Sequence, residues 1–282
     1  MTAAATLIPN LENLDTERKA RRAAARERRE GFWFPEPKRE ELLTLLDELA
    51  NDPPRQRERS IAIVAEANNG KSALVKRYLE RHPNSRTTDR KIIPCIMIGM
   101  SQNTRVERLS VSLLRALKDV DPESGSHTQR IIRFIALSKK VGLQLTFLDE
   151  FHDAASKDIG QPVLKCIKDL MNEHVKVVPV GTREMEKVLA NDDQLSTRFQ
   201  FRRGKLARID DLRMVKALMM NISDQPEEEI TNDMVMYVHN ETKGVLGHMC
   251  DLAEDTFAYT GALTLDNLKS QREFMECLDN LQ

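Results

Sequence analysis

No apolar run in this 282-residue sequence approaches the ~20 residues that cross a bilayer, and the N-terminus carries no signal-peptide apolar segment. A membrane span is therefore not expected. Aromatics make up only 5%, with a single tryptophan. The four cysteines, Cys95, Cys166, Cys250 and Cys277, include no C-x-x-C pair, which argues against a disulfide framework or a zinc site. The six histidines show no H-x-x-x-H or Cys/His ligand spacing. A reducing, cytoplasmic compartment is the expectation. What remains suits a folded chain: 40% hydrophobic and 31% charged residues, enough for one compound domain or two small ones. The twelve methionines read as core filler.

The formal net charge of -1 hides an asymmetry. Asp210 to Gln282 carries 15 acidic and five basic residues, so the preceding part is strongly basic. Within that part, Thr16 to Glu30 holds seven basic and three acidic residues with good helix propensity. It ends at Gly31-Phe32-Trp33-Phe34-Pro35, the only dense aromatic cluster in the sequence. Residues 1–37 read as a basic arm, either solvated or docking on a partner or DNA.

From Lys38 the pattern changes. Leu42, Leu43, Leu45, Leu46 and Leu49 predict a helix to Asn51. Strands are expected over 60–65, 92–98, 143–148 and 175–180, with helices over 71–82, 105–119, 128–141 and 161–174 between them. This alternation predicts an α/β domain, a parallel sheet flanked by helices, over residues 38–209. Beyond it, residues 210–282 read as all-helical.

Ala65-Glu66-Ala67-Asn68-Asn69-Gly70-Lys71-Ser72 follows a strand and opens a helix, the context of a phosphate-binding P-loop. Backbone N–H groups from Glu66 through Ala73 would wrap phosphate oxygens, helped by the helix N-terminus. Lys71 would reach the β- and γ-phosphates of ATP, and the Ser72 hydroxyl would ligate Mg²⁺. One departure is Ala65, where the first glycine of the motif is usual. A second motif is Leu143 to Glu150, an apolar strand that ends in two carboxylates. Asp149 would hold Mg²⁺ partly through water, and Glu150 would polarise the attacking water.

Two further segments fit that site. Thr182, after the apolar run Val177–Val180, could hydrogen-bond the γ-phosphate or cap the next helix. Arg198, in Gln194-Leu195-Ser196-Thr197-Arg198-Phe199, could act across a subunit boundary as an arginine finger, or belong to a solvated basic run with Arg202, Arg203 and Lys205. His152 could couple the hydrolysis site to a neighbouring loop, or be a hydrogen-bonded neighbour of the site.

The P-loop, Leu148-Asp149-Glu150-Phe151-His152, Val180-Gly181-Thr182-Arg183-Glu184 and Gln194 to Phe199 together resemble AAA+ transposition regulators of the TniB/TnsC type. The Gly-Thr-Arg-Glu and Leu-x-x-Arg-Phe segments are closest to TniB. The resemblance spans roughly Lys38 to Ala258. It implies a five-stranded parallel sheet and a small helical lid. It also implies a weak, DNA-stimulated ATPase that assembles as a ring or filament on double-stranded DNA. Such a bacterial, DNA-associated protein would recruit a DDE transposase, with a TniQ-type targeting protein as a possible further partner, and come apart on hydrolysis. By match, Lys71 and Ser72 take the Walker A roles and Asp149 and Glu150 the Walker B roles. Thr182 takes the sensor-1 place and Arg198 the finger. His248 stands where a sensor-2 arginine is usual, a shorter side chain with a pH-dependent charge.

For DNA contact the loop Ser101 to Arg105 is the candidate, with Gln102 and Arg105 reaching phosphates. Two other readings compete: a nucleotide-gated scaffold that barely hydrolyses ATP, motivated by Ala65 and His248, and a small helicase-like translocase.

Overall fold

The computed structural model describes residues 7–101, 105–155 and 160–279. The chain opens with α1 (Leu7–Glu30). The α/β elements are α2 (Pro37–Asn51), β1 (Ser60–Ile61), β2 (Ile63–Val64), α3 (Lys71–Arg81), a small hairpin of β3 (Ser85–Arg86) and β4 (Lys91–Ile92), β5 (Cys95–Gly99), α4 (Val106–Ala116), α5 (His127–Val141), β6 (Leu145–Asp149), α6 (Gly160–Asn172), β7 (Val177–Gly181), α7 (Arg183–Ala190), α8 (Asp193–Ser196) and β8 (Phe199–Gln200). Four helices follow: α9 (Leu212–Ser223), α10 (Asn232–Thr242), α11 (Leu246–Thr260) and α12 (Leu265–Asp279).

Contacts divide the chain into two folding units, one from Pro37 to Ala207 and the other joining the residues up to Glu36 with those from Arg208 onward. In the first unit the strand order is β2-β7-β6-β5, all parallel, and β8 runs parallel to β1. Every residue of β6 and β7 is buried, as expected where helices cover both faces of a parallel sheet. The core on these strands includes Leu148, Val177, Leu113, Phe134 and Ile167.

The expected continuous strand over 60–65 is interrupted at Ala62, between β1 and β2. There the chain after β8 crosses at close range: a Cβ on Gly204 would lie 1.9 Å from the Ala62 carbonyl oxygen. Glycine permits that approach. Val64 N then donates to Gly204 O, and Leu206 N to Val64 O. The segment after β8 thus meets the sheet edge through a single parallel bridge, Val64 with Lys205, and the sheet through β2 has four strands rather than the five expected, with β1 and β8 paired separately.

The second unit packs α1 with α9, α10, α11 and α12 around Met214, Leu218, Val238, Met249 and Leu252. Residues 1–37 read from sequence as an arm of their own; α1 instead belongs to this helical unit. Ala25 is fully buried in its core, and Phe32 and Phe34 pack against it. Charge completes the fit. Arg22 pairs with Asp255, and Arg29 Nη1 lies 2.6 Å from Glu254 Oε1. Arg28 donates to the carbonyls of Asn221 and Ile222 in the last turn of α9, where backbone acceptors lack helical partners. The basic arm and the acidic C-terminal region, noted separately in the sequence, thus meet within one unit.

Cys95, Cys166 and Cys250 are free, buried thiols, each pushed up to about 12 by burial, so they behave as small apolar groups. Among the described residues, no helix is long and apolar enough to cross a membrane.

Candidate nucleotide-binding site

Parallel strands bring the sequence motifs to one edge. β2, β6 and β7 run the same way, so the loops leaving their carboxyl ends lie side by side. Ala65 N donates to Gly181 O at 3.2 Å, tying the start of the P-loop to the end of β7.

The loop conformation accounts for the missing first glycine. Left-handed backbone occurs at Asn68 (φ +56°) and Gly70 (φ +77°), and not at Ala65. Asparagine is among the few side chains that adopt this region readily, and glycine does so without steric cost. Alternation of this kind turns successive N–H groups toward one concavity, which suits an anion. Gly70 is also the N-cap of α3, so the helix N-terminus opens into the same loop.

Lys71 is only 5% exposed, and its Nζ donates to Glu66 O at 2.9 Å within the loop. Burial pushes its ammonium below the usual lysine range, while Glu150 and then Asp149 pull in the opposite direction. A buried cation at the mouth of an N–H-lined loop fits a polyphosphate. Ser72 Oγ donates to Asp149 Oδ2 at 2.6 Å, and Asp149 Oδ1 accepts from Glu150 N at 3.0 Å. A hydroxyl and a carboxylate in contact are the protein ligands a hard divalent cation takes beside phosphates. The set therefore fits Mg²⁺.

Glu150 is a non-glycine residue at φ +53°, a strained backbone that recurs at functional sites. Its carboxylate is half exposed, and Oε2 lies 3.3 Å from His152 Nε2. Thr182 occupies the N-cap of α7 yet makes no side-chain capping bond, and its Oγ1 is a buried oxygen without a partner. Thr182 thus stands at the N-cap of α7 as the sequence suggested, without its hydroxyl making the capping bond.

Asn69 shows what the sequence did not. Its side chain does not face the loop mouth. It is 1% exposed, and Nδ2 donates to Ala207 O at 2.8 Å, anchoring the loop to the last residues of the α/β unit. Arg39 Nη2 reaches Asn69 O at 3.5 Å from α2. Sequence reasoning passed over Arg39, although its helical spacing to Leu42, Leu43 and Leu46 puts it on their buried face.

Arg198 was expected on an exposed segment. It is 8% exposed, and its Nη2 donates to Asn172 Oδ1 at 2.7 Å, at the end of α6. Partners distant in sequence draw it in: Arg198 O accepts from Ser60 N, and Phe199 enters the core, so the arginine follows β8 inward. Burial, and then Arg57, push its guanidinium below its ordinary range. Arg202 and Arg203 are exposed, and Lys205 lies 3.6 Å from Glu186. Gln102 lies outside the described residues; Arg105 is exposed at the N-cap of α4. His248 stands exposed in the first turn of α11, in the helical unit.

A family model described as "Bacterial TniB protein" matches residues 24–206. No curated protein sequence matches the chain. Among solved structures, the chain is similar to the Aeropyrum pernix ORC2 protein, described in ADPNP-ADP complexes, with a TM-score of 0.63 and 11% identity over 86% of this chain and 70% of that one. It is similar to Aeropyrum pernix ORC1 in complex with DNA, with a TM-score of 0.62 and 14% identity over 85% of this chain and 65% of that one. A Walker-type ATPase of Pyrococcus abyssi aligns with a TM-score of 0.55 and 15% identity over 86% and 75%. At these identities the likeness establishes the fold, an AAA+ α/β architecture with a helical C-terminal region, and the chain spans just under two thirds of the ORC1 relative's length.

Proposed function

Since the chain belongs to the TniB family, we propose that it is an ATP-dependent AAA+ regulator of DNA transposition. In this reading it binds ATP, assembles on double-stranded DNA as a homo-oligomer and engages a DDE transposase, in the bacterial cytoplasm. A TniQ-type targeting protein would be a further partner. Hydrolysis of ATP to ADP and phosphate would release the assembly.

The observation that carries the nucleotide part is the 2.6 Å contact between Ser72 and Asp149, with the buried Lys71 ammonium beside it. The N–H groups of Glu66 to Ala73 would wrap the phosphates. Lys71 Nζ would exchange its bond to Glu66 O for phosphate oxygens. Ser72 and Asp149 would hold Mg²⁺, which neutralises charge between the β- and γ-phosphates when bound. Glu150 would accept the proton of the attacking water, and the unpaired Thr182 hydroxyl would donate to the γ-phosphate. These are positions where charge develops, so preorganised groups there stabilise the transition state.

For DNA, support comes from the ORC1 relative whose structure contains it and from the exposed Arg105, with Arg108 one turn further along α4. Contacts of this kind go to phosphates and carry little sequence preference. The inward position of Arg198 favours a second reading, a nucleotide-gated scaffold that barely hydrolyses ATP, because a buried Arg198 is not presented to a neighbour's site.

The test is ATP turnover by the purified protein with and without duplex DNA, alongside imaging with a non-hydrolysable ATP analogue. Nucleotide-dependent assemblies on DNA, with slow turnover stimulated by the duplex, are expected. Binding should fall steeply with added salt, because releasing condensed counterions into a saltier solution gains less entropy. Assemblies without turnover would favour the scaffold. A protein that neither retains ATP nor assembles would overturn both.

A further inference from the structure

His152 sits in the 3₁₀ turn Phe151–Ala155 directly after Glu150. One ring nitrogen, Nε2, is 3.3 Å from Glu150 Oε2, with Asp153 Oδ1 further off at 3.7 Å. A carboxylate can only accept, so a hydrogen bond there requires the proton on Nε2, and Nδ1 of the neutral ring is then an acceptor. That Nδ1 is buried and without a partner. It faces the end of β7, since a Cβ built on Gly181 would lie 3.5 Å from it. The next residue is Thr182, whose buried Oγ1 is also unpaired. Buried polar atoms are usually satisfied, so two orphans at one turn mark a place that a hydroxyl or water completes.

The carboxylate that His152 touches belongs to a residue held at φ +53°. The turn is closed by Asp153 N donating to Glu150 O at 3.1 Å. Backbone and imidazole together thus restrict where the Glu150 carboxylate can point. We propose that His152 is a positioning residue for hydrolysis: one ring nitrogen holds the Glu150 carboxylate in place, while the other faces the end of β7. This rests on the ATPase reading above.

The test compares His152→Ala, His152→Gln and His152→Asn. Glutamine carries an N–H close to where Nε2 stands, whereas asparagine reaches only the Nδ1 position. His152→Ala is expected to lose roughly tenfold or more in kcat with ATP affinity unchanged, in line with other groups that orient a catalytic side chain. His152→Gln should recover most of that loss, and His152→Asn should not. Parent-like kcat in His152→Ala, an equal loss in all three variants, or a loss confined to affinity would each overturn the proposal. A second readout needs no turnover: the imidazole ¹⁵N spectrum should report the Nε2–H tautomer for His152, displaced in Glu150→Ala. An unmoved signal would refute the contact. Should the parent bind ATP without hydrolysing it, the ATPase reading fails, and the spectrum still decides whether His152 holds Glu150.

Discussion

Ser72 Oγ and Asp149 Oδ2 lie 2.6 Å apart although 77 residues separate them in sequence. The contact joins the first turn of α3 to the last residue of β6, because parallel strands deliver both to one edge. Beside it, Lys71 is the buried cation that a phosphate would neutralise.

Lys71→Ala is therefore expected to weaken ATP binding by tenfold or more, the scale of a lost charge-assisted hydrogen bond of about 1.5–3 kcal/mol. Folding should be kept, since the lysine is held by only one loop carbonyl. Titration with a fluorescent ATP analogue measures this, and parent-like affinity would remove the loop from nucleotide binding.

Glu150→Gln should leave affinity intact and reduce turnover by about a hundredfold or more, the contribution expected of a positioned general base. The amide preserves shape and can still meet His152, but cannot take the proton of water. Nucleotide-dependent assemblies on DNA should outlast those of the parent, as seen by light scattering over time. Unchanged turnover would exclude Glu150 from the reaction.

Much of this site was legible in the sequence because its signals are local. Gly70-Lys71-Ser72 at a strand–helix junction and an apolar strand ending in Asp149-Glu150 each state their own context. Element types followed from periodicity, even for β7, where Pro179 gives up a ladder hydrogen bond in the middle of a sheet. What escaped was set by distant partners. The inward turn of Arg198 depends on Asn172, the break at Ala62 on Gly204, and the seat of α1 on Asp251, Glu254 and Asp255. Complementary charge in the two ends of the chain was visible, but charge alone does not name a partner within the same molecule.

The α1–α11 contact makes its own prediction. Glu254 is 4% exposed and is met by Arg29, with Arg26 Nε 3.7 Å away. Arg29→Ala strips the nearer partner from a buried carboxylate and should cost about 1–3 kcal/mol in thermal or denaturant unfolding. Glu254→Gln in the same chain should return part of that loss, because a neutral amide is cheaper to bury than an unpaired charge. An Arg29→Ala chain as stable as the parent would mean that α1 is held by its apolar face alone.

Arg198 and Asn172 give the sharpest contrast. Nη2 of Arg198 is satisfied by Asn172 Oδ1, but Nε and Nη1 are buried without partners. Burial disfavours the charged guanidinium, so the folded state gains little from this cation. Asn172→Ala would remove its one side-chain acceptor and should destabilise the chain by about 1–3 kcal/mol. Arg198→Met keeps much of the volume and removes the unsatisfied donors, so its Tm should match or exceed that of the parent. Function is then read by mixing Arg198→Met with Lys71→Ala under DNA-stimulated turnover conditions. If Arg198 serves only its own fold, Arg198→Met alone turns over ATP as the parent does. A finger would have to leave Asn172 and reach a neighbouring site, so Arg198→Met alone would then be inactive. The mixture would regain activity, because the Lys71→Ala subunit supplies an intact Arg198 to its neighbour's P-loop. The inward position, held by Asn172 Oδ1, favours the first outcome, and recovery on mixing would reverse that assignment.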